Sequence, residues 1–319
     1  MSDLGHVVFP FDTECYFPSK YRGIHTLIRK IAFGPRLWRL NNDIIARAKE
    51  FNPDLIWVDK GLLIDPKTLK DCKRLPNSPI LIHYSPDDMM NLNNQSRFYL
   101  RSIPLYDIHI TTKTPNIEEL KGLRAKRVYF MDNAYCPAMH RPVPIADVDR
   151  KMYGGYMGFI GSYEKERSNS MIHVAKSGLQ VRIWGPGWEN CNLVQHQNLL
   201  IENRSLWREE YAQVICSTEL NLCFLRKVNR DTQTTRSIEI PACGGFMVAE
   251  RTDEHLRLFK EDEEAVFFSS DVELVEKLRY YIKRPEERRR IARAGRDRCL
   301  KSGYSNENRL KVFFQELGL

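Results

Sequence analysis

The sequence predicts an α/β protein of two domains in tandem, each a parallel sheet covered by helices. Short, continuously apolar segments of strand length alternate with stretches of helical periodicity along most of the chain. That order is what a parallel sheet covered on both faces requires. The length, 319 residues, is about two domains at roughly 150 residues each. Residues 137–155 interrupt the alternation with Pro137, Pro142 and Pro144, then Gly154 and Gly155, and read as a linker. The expected division is 1–145 for the first domain and 155–300 for the second. A C-terminal helix follows within 301–319, for which packing back on the first domain is one placement.

In chain order, the expected strands of the first domain are residues 6–9, 55–58, 80–84, 108–111 and 128–131. Those of the second are 156–160, 181–184, 220–225, 246–249 and 266–268. Helical patterns fall at 37–51, 66–74, 166–177, 205–216, 236–242 and 253–259. After Phe268 the chain reads as fully helical. Ser270 and Glu273 have capping-box spacing, with the serine taking an amide and the glutamate reaching back. Leu274, Val275, Leu278, Tyr281 and Ile282 follow at helical spacing, and Pro285 opens the next helix. The last helix, 306–317, carries Leu310, Phe313, Phe314 and Leu317 on one side.

Composition narrows the function classes. At 42% hydrophobic residues there is ample material for cores, which argues against disorder. No apolar run reaches the roughly 18 residues of a membrane helix, and the first 18 residues lack a signal-peptide core. The expectation is a cytoplasmic protein. The eight cysteines include no C-x-x-C pair and read as reduced core residues. The histidines lack metal-ligand spacing, so neither a bound metal nor a cofactor is expected. Net charge is 49 minus 41, or +8. The densest basic run, residues 284–298, holds seven Arg and three acids. It reads as a solvated helix face, with peripheral contact to an anionic membrane as the alternative. Without interleaved aromatics it does not suit single-stranded nucleic acid, and no nucleic-acid partner is expected.

In doubly wound sheets, ligands bind beyond the carboxyl ends of the strands, so chemistry is sought in those loops. Beyond strand 80–84 lie Asp87 and Asp88, with His83 at the strand's end. Paired carboxylates can supply a base, because each raises its neighbour's pKa. The alternatives are a helix-capping aspartate and a hydrogen-bonded core histidine. Strand 156–160 runs into Gly161, Tyr163 and Arg167 ahead of a helix, where a glycine turn lets amides approach an anion. Strand 181–184 exits through Gly185, Gly187 and Trp188, an aromatic-bearing loop or simply a tight turn. The strongest segment is 231–250, with Asp231, Thr235, Arg236, Glu239 and the pair Gly244 and Gly245. Arg236 and Glu239 share a helix face. Amides of a helix opening near Thr235, together with Arg236, suit a diphosphate, and a carboxylate one turn further suits a ribose diol. An ordinary Arg–Glu pair is the plain alternative.

Through these residues the sequence resembles a known family. Residues 236–253, then Leu258 and Phe259, Tyr280 and Tyr281, Pro285 to Arg288 and residues 291–296, are similar to the CgeB-type glycosyltransferases. These resemble the wider GT-B group that includes the family 4 retaining glycosyltransferases. Residues 84–88, 103–113, 161–167 and 185–188 share the likeness, which covers nearly the whole chain. The resemblance implies two Rossmann-like domains facing a cleft. It implies transfer of a sugar from a nucleotide diphosphate sugar to an unknown acceptor, whether glycan, protein or lipid-linked. The donor would be held mainly by the second domain, through Gly161, Tyr163, Arg167, Gly185, Gly187, Trp188, Arg226, Asp231, Thr235, Arg236, Glu239 and Gly244.

Family 4 enzymes carry an E-x7-E pattern. Glu239 matches the second glutamate, which implies a ribose contact, while the first position is the shorter Asp231. His83 resembles a histidine those enzymes carry near the donor, with Asp87 and Asp88 as rival catalytic candidates. Arg236, Arg226, Lys227 and helix amides would stabilise the leaving diphosphate without metal. Relatives begin with a strand, a glycine-rich turn and a helix before a segment like residues 4–8, at which this chain opens. A first domain lacking its first strand and helix, or a misplaced start site, is therefore expected. The runner-up function is a degenerate, non-catalytic nucleotide-binding protein of the same fold.

Overall fold

The computed structural model describes residues 1–17, 33–190 and 196–318. Two compact units emerge, Met1–Asp132 with Val228–Arg230, and Asn133–Lys227 with Asp231–Leu319. The division falls at Asp132 and Asn133, upstream of the proline-rich segment, and the last helix belongs to the second unit.

The first unit contains helix α1 (Pro35–Phe51), strand β1 (Leu55–Asp59), α2 (Pro66–Lys73), β2 (Ile80–Ser85), α3 (Arg97–Ser102), β3 (Ile108–Thr111), α4 (Thr114–Gly122) and β4 (Val128–Phe130). Its four strands are all parallel, in the order β1-β2-β3-β4. Asp65 starts α2 by accepting the Lys67 N–H at 2.8 Å, and Pro66 fills the first position, where no amide is needed. Val58, Leu69, Leu81 and Tyr106 form one part of the core. Residues 6–9 are not the expected strand. Val7 is 84% exposed there, so the apolar run has neither a ladder partner nor a sheet face to bury against. Helices α3 and α4 were not expected from the sequence, and α4 buries only Asn116 and Leu120, which gives it a weak apolar period.

The second unit contains α5 (Asp147–Tyr153), β5 (Gly155–Ile160), α6 (Lys165–Lys176), β6 (Val181–Trp184), β7 (Leu199–Ile201), α7 (Glu209–Ser217), β8 (Thr218–Cys223), α8 (Arg236–Ala242), β9 (Met247–Glu250), α9 (Asp253–Leu258), β10 (Val266–Phe268), α10 (Asp271–Ile282), α11 (Pro285–Lys301) and α12 (Asn306–Leu317). Its six parallel strands run in the order β10-β9-β8-β5-β6-β7. Chain order therefore reverses where β5 meets β8. One core cluster is built on Phe159, Ile183, Leu222 and Val248, and another on Ile238, Ala249, Phe259 and Phe267.

Two elements here were unexpected. Helix α5 lies inside the expected linker, and Asp149 accepts the Ala146 N–H at 3.0 Å to start it. Strand β7 is a three-residue edge strand. The expected capping box of α10 is half closed. Ser270 accepts the Glu273 N–H at 3.2 Å, but the Glu273 carboxylate turns to the Ser269 N–H at 2.7 Å and to Arg251. The basic run on α11 is largely committed within the protein. Arg288 pairs with Glu219, Arg289 with Glu286, and Arg298 donates to Leu258 O at 3.0 Å.

Among the described residues, no helix is long and apolar enough to cross a membrane. The seven cysteines there are free, and Cys191 lies outside them.

Candidate functional site

All strands of the second unit point the same way, so the loops after β5, β6 and β8 gather at one edge of its sheet. The reversal between β5 and β8 is the position where a doubly wound sheet opens a crevice. Three arginines meet there. Arg167, in the first turn of α6, is 3% exposed and donates from Nη1 to Ser162 O at 3.1 Å. Arg226, just beyond β8, donates from Nε to Glu164 Oε1 at 2.6 Å. Arg236, the first residue of α8, donates to Phe224 O at 3.3 Å. The guanidinium carbons of Arg167 and Arg236 lie 5.3 and 5.7 Å from the Phe159 ring centroid, within cation–π range.

Glu164 is a carboxylate in contact with two of these arginines. It pairs with Arg226 and lies 3.7 Å from Arg167. Nε and Nη2 of Arg167 and Nε of Arg236 are buried without hydrogen-bond partners. Burial, reinforced by the neighbouring Arg236, lowers the Arg167 pKa to about 10. A buried guanidinium with unfilled donors beside two more cations is a site built for an anion with several oxygens.

The neighbouring loops hold this arrangement. Gly161 N donates to Trp184 O at 2.8 Å, and Tyr163 N donates to Pro186 O at 3.0 Å. Gly185 has φ +143°, and a Cβ there would sit 2.2 Å from Gly161 O, so only glycine fits. Gly187 packs beside Tyr163, and the Trp188 ring lies 5.4 Å from the Tyr163 ring. Trp188 does not face solvent. It is 2% exposed and its indole N–H donates to Gly161 O at 2.9 Å, so it props up the Gly161 loop from within.

The start of α8 is held by a chain of hydrogen bonds. Glu250 O lies 2.6 Å from His255 Nδ1, and a carbonyl can only accept, so Nδ1 carries the proton. Nε2 therefore accepts from the Ser237 hydroxyl at 2.7 Å, and Ser237 Oγ in turn accepts the Thr234 N–H at 3.0 Å. Burial lowers the His255 pKa, which keeps the ring neutral and this polarity intact. Thr235 is exposed, and its carbonyl accepts the Glu239 N–H at 2.9 Å.

Asp231 is 8% exposed and its Oδ2 accepts the Arg226 N–H at 3.3 Å, inside its own loop. Lys227 pairs with Glu250. Glu239, one turn beyond Arg236, accepts the Tyr211 hydroxyl at 2.7 Å. Gly244 takes the chain out of α8 with φ +77°.

The three candidates of the first unit lie at the ends of β2 and in the following loop. His83 is 1% exposed, and its ring packs with Tyr99, Tyr106 and His109. Its Nε2 is 3.1 Å from Lys60 O, and its Nδ1 is 3.3 Å from His109 Nδ1. Asp88 is equally enclosed. Arg230 grips both its oxygens at 2.6 and 2.7 Å, and Asn116 adds a third bond at 2.8 Å. Burial opposes ionisation of Asp88, but these hydrogen bonds prevail and lower its pKa. Asp87 is the most accessible carboxyl of the pair, at 19% side-chain exposure against 3%, and pairs with Lys60.

Sequence reasoning missed Glu164, Tyr211, His140, Ser237 and His255. Glu164 was within reach, because Glu164 and Arg167 stand three apart at a helix start. The others come together only through tertiary packing.

The sequence of residues 167–315 matches the family model described as glycosyl transferase-like. No curated protein is significantly similar in sequence. Among solved structures, sucrose-phosphate synthase from Thermosynechococcus elongatus superimposes with a TM-score of 0.64 at 14% identity, over 88% of this chain and 78% of that one. Anabaena HepE, solved in complex with UDP-glucose, gives 0.62 at 13% identity, over 88% and 82%. Trehalose-6-phosphate synthase OtsA gives 0.64 at 11% identity, over 96% and 83%. At these identities the likeness establishes the fold, two parallel-sheet α/β units of GT-B type.

Proposed function

We propose that the protein is a glycosyltransferase whose second unit binds a nucleotide diphosphate sugar. The observation that carries this reading is the group of three arginines at the β5/β8 reversal, with Arg167 buried and Nε and Nη2 of its guanidinium without hydrogen-bond partners. A sugar leaves its donor as a nucleoside diphosphate, and fixed cations aimed at that diphosphate stabilise the charge that develops. The glycosyl transferase-like match over residues 167–315 supports the assignment. HepE carries UDP-glucose on the same fold, which makes a UDP-sugar the first donor to test. In this reading Glu239 accepts hydrogen bonds from the ribose diol, and the arginines neutralise the diphosphate without a metal. Asp87, the more exposed of the two carboxyls that follow β2, is the candidate base for the acceptor.

Calorimetric titration with UDP, UDP-glucose and uridine tests the proposal. Arg236→Ala should weaken UDP binding by roughly ten- to a hundredfold, the range of a lost charged hydrogen bond, and leave uridine unaffected. A parent protein that binds UDP no better than uridine would remove the basis of the assignment. The burial of Asp231 in its own loop favours a second reading, a nucleotide-binding protein without turnover. Tight UDP-glucose binding with neither hydrolysis nor transfer would select it.

A further inference from the structure

The carboxylate of Glu239 has two distinct oxygens. Oε2 accepts the Tyr211 hydroxyl at 2.7 Å. Oε1 has His140 Nε2 at 3.7 Å, too long for a hydrogen bond. The polarity of both contacts is fixed. A carboxylate only accepts, so the Tyr211 phenol must donate. Burial, then the charge of Glu239 beside it, raises the Tyr211 pKa well above its ordinary value, so the phenol keeps its proton. On the other side, Cys136 N donates to His140 Nδ1 at 3.0 Å. The neutral imidazole therefore carries its proton on Nε2, towards Glu239. The Tyr211 and His140 rings meet edge to face at 5.5 Å, and the Glu239 side chain is only 14% exposed between these partners. One oxygen is tied down and the other is bordered but not bonded.

We infer that Tyr211 is a positioning residue for donor recognition: its hydroxyl locks Glu239 Oε2 so that Oε1 is presented, in one fixed orientation, to the vicinal hydroxyls of the donor ribose. This deepens the proposed function and rests on its placement of the ribose at Glu239. A glutamate side chain has three rotatable bonds, and freezing them before the ligand arrives removes an entropic cost from binding. His140 forms the second wall, which keeps the carboxylate from swinging away from Tyr211.

The test uses UDP and 2′,3′-dideoxy-UDP as probes in calorimetric titrations of the full chain. Parent, Glu239→Gln, Tyr211→Phe and the double variant are compared after circular dichroism and melting confirm folding. UDP should bind the parent at least tenfold more tightly than the dideoxy probe. Tyr211→Phe should erase most of that ratio while leaving dideoxy-UDP affinity unchanged, and the double variant should lose no more than Glu239→Gln alone. A purely structural role for Tyr211 would weaken both probes equally, and that result overturns the inference. If Glu239→Gln itself leaves the ratio intact, the ribose placement fails. If Glu239→Gln collapses the ratio and Tyr211→Phe does not, the placement stands and the positioning role falls. Should Tyr211→Phe fail to fold, Tyr211→Leu, which also removes the hydroxyl, takes its place with the same pair of probes, and an unchanged ratio there overturns the inference.

Discussion

Glu164 occupies the arginine cluster as an internal counter-ion. It binds Arg226 at 2.6 Å and approaches Arg167 at 3.7 Å, so a diphosphate arriving there must compete with its carboxylate. Glu164→Gln should therefore tighten UDP binding by several-fold, up to roughly tenfold, and leave uridine unchanged. Weaker UDP binding in that variant would mean that the glutamate shapes the site and does not obstruct it. A second residue-scale device sits in the first unit. His83 and His109 share a buried contact between their Nδ1 atoms, and each Nε2 faces a carbonyl, Lys60 O for one and Ile103 O for the other. Two neutral rings have two protons for these three contacts, and burial opposes a third. Burial, reinforced by the charge of His109, lowers His83 to about 3, and burial lowers His109 to about 4. The unfolded chain takes up protons near pH 6.5 while the folded pair resists until about pH 4. Stability is thus full above pH 6.5 and falls below it, by about 1.4 kcal/mol per pH unit for each histidine at the steepest. The protection of β2 and β3 amides against exchange, referred to the intrinsic rate at each pH, should fall accordingly between pH 7 and 4.5, and His109→Gln should reduce the slope. A flat profile would contradict the burial argument.

At the scale of elements, the loops that follow strands carry the candidate site, and glycine geometry holds two of them together. Gly185→Ala places a methyl 2.2 Å from Gly161 O at φ +143°, which neither loop can relieve without moving. It should cost more than about 1 kcal/mol and lower both the melting temperature and UDP affinity. Helix α11 makes the opposite case. Arg289 pairs with Glu286 on the surface, so changing Arg289 and Arg293 to Gln should shift stability by less than about 0.5 kcal/mol and leave UDP binding unaltered. Binding to anionic liposomes that disappears in this double variant would restore the membrane alternative. Strands β3, β6 and β10 and helix α8 begin and end where the sequence pattern places them, and each buries the apolar residues that marked it. Residues 6–9 carry the same apolar signal with no sheet beside them, and α5 buries no residue and so shows no apolar face. Arg236 and Glu239 were legible because their spacing is local. The contact of Tyr211 with Glu239 was not, since 28 residues separate them.

For the molecule as a whole, the charge that matters is where the fold collects it. A net +8 spread over a surface attracts anions weakly, and much of the basic run on α11 is already spent on internal partners. The arginines at the β5/β8 reversal are different, because Arg167 is buried and retains unfilled donors. A ligand that fills them binds only the folded chain and must raise its stability, by roughly 2.7 kcal/mol at a hundred times its dissociation constant. UDP should therefore shift the melting temperature of the parent, uridine at the same concentration much less, and Arg236→Ala should cut the UDP stabilisation to about 0.4–1.4 kcal/mol at that concentration. The same experiment addresses the metal. In the proposed reading, side-chain cations are the counter-charge for the diphosphate. Excess EDTA should then leave the UDP-induced shift and sugar transfer intact. If EDTA removes both and manganese restores them, the diphosphate is held through an ion. Arg167, Arg226 and Arg236 would then be secondary contacts around it.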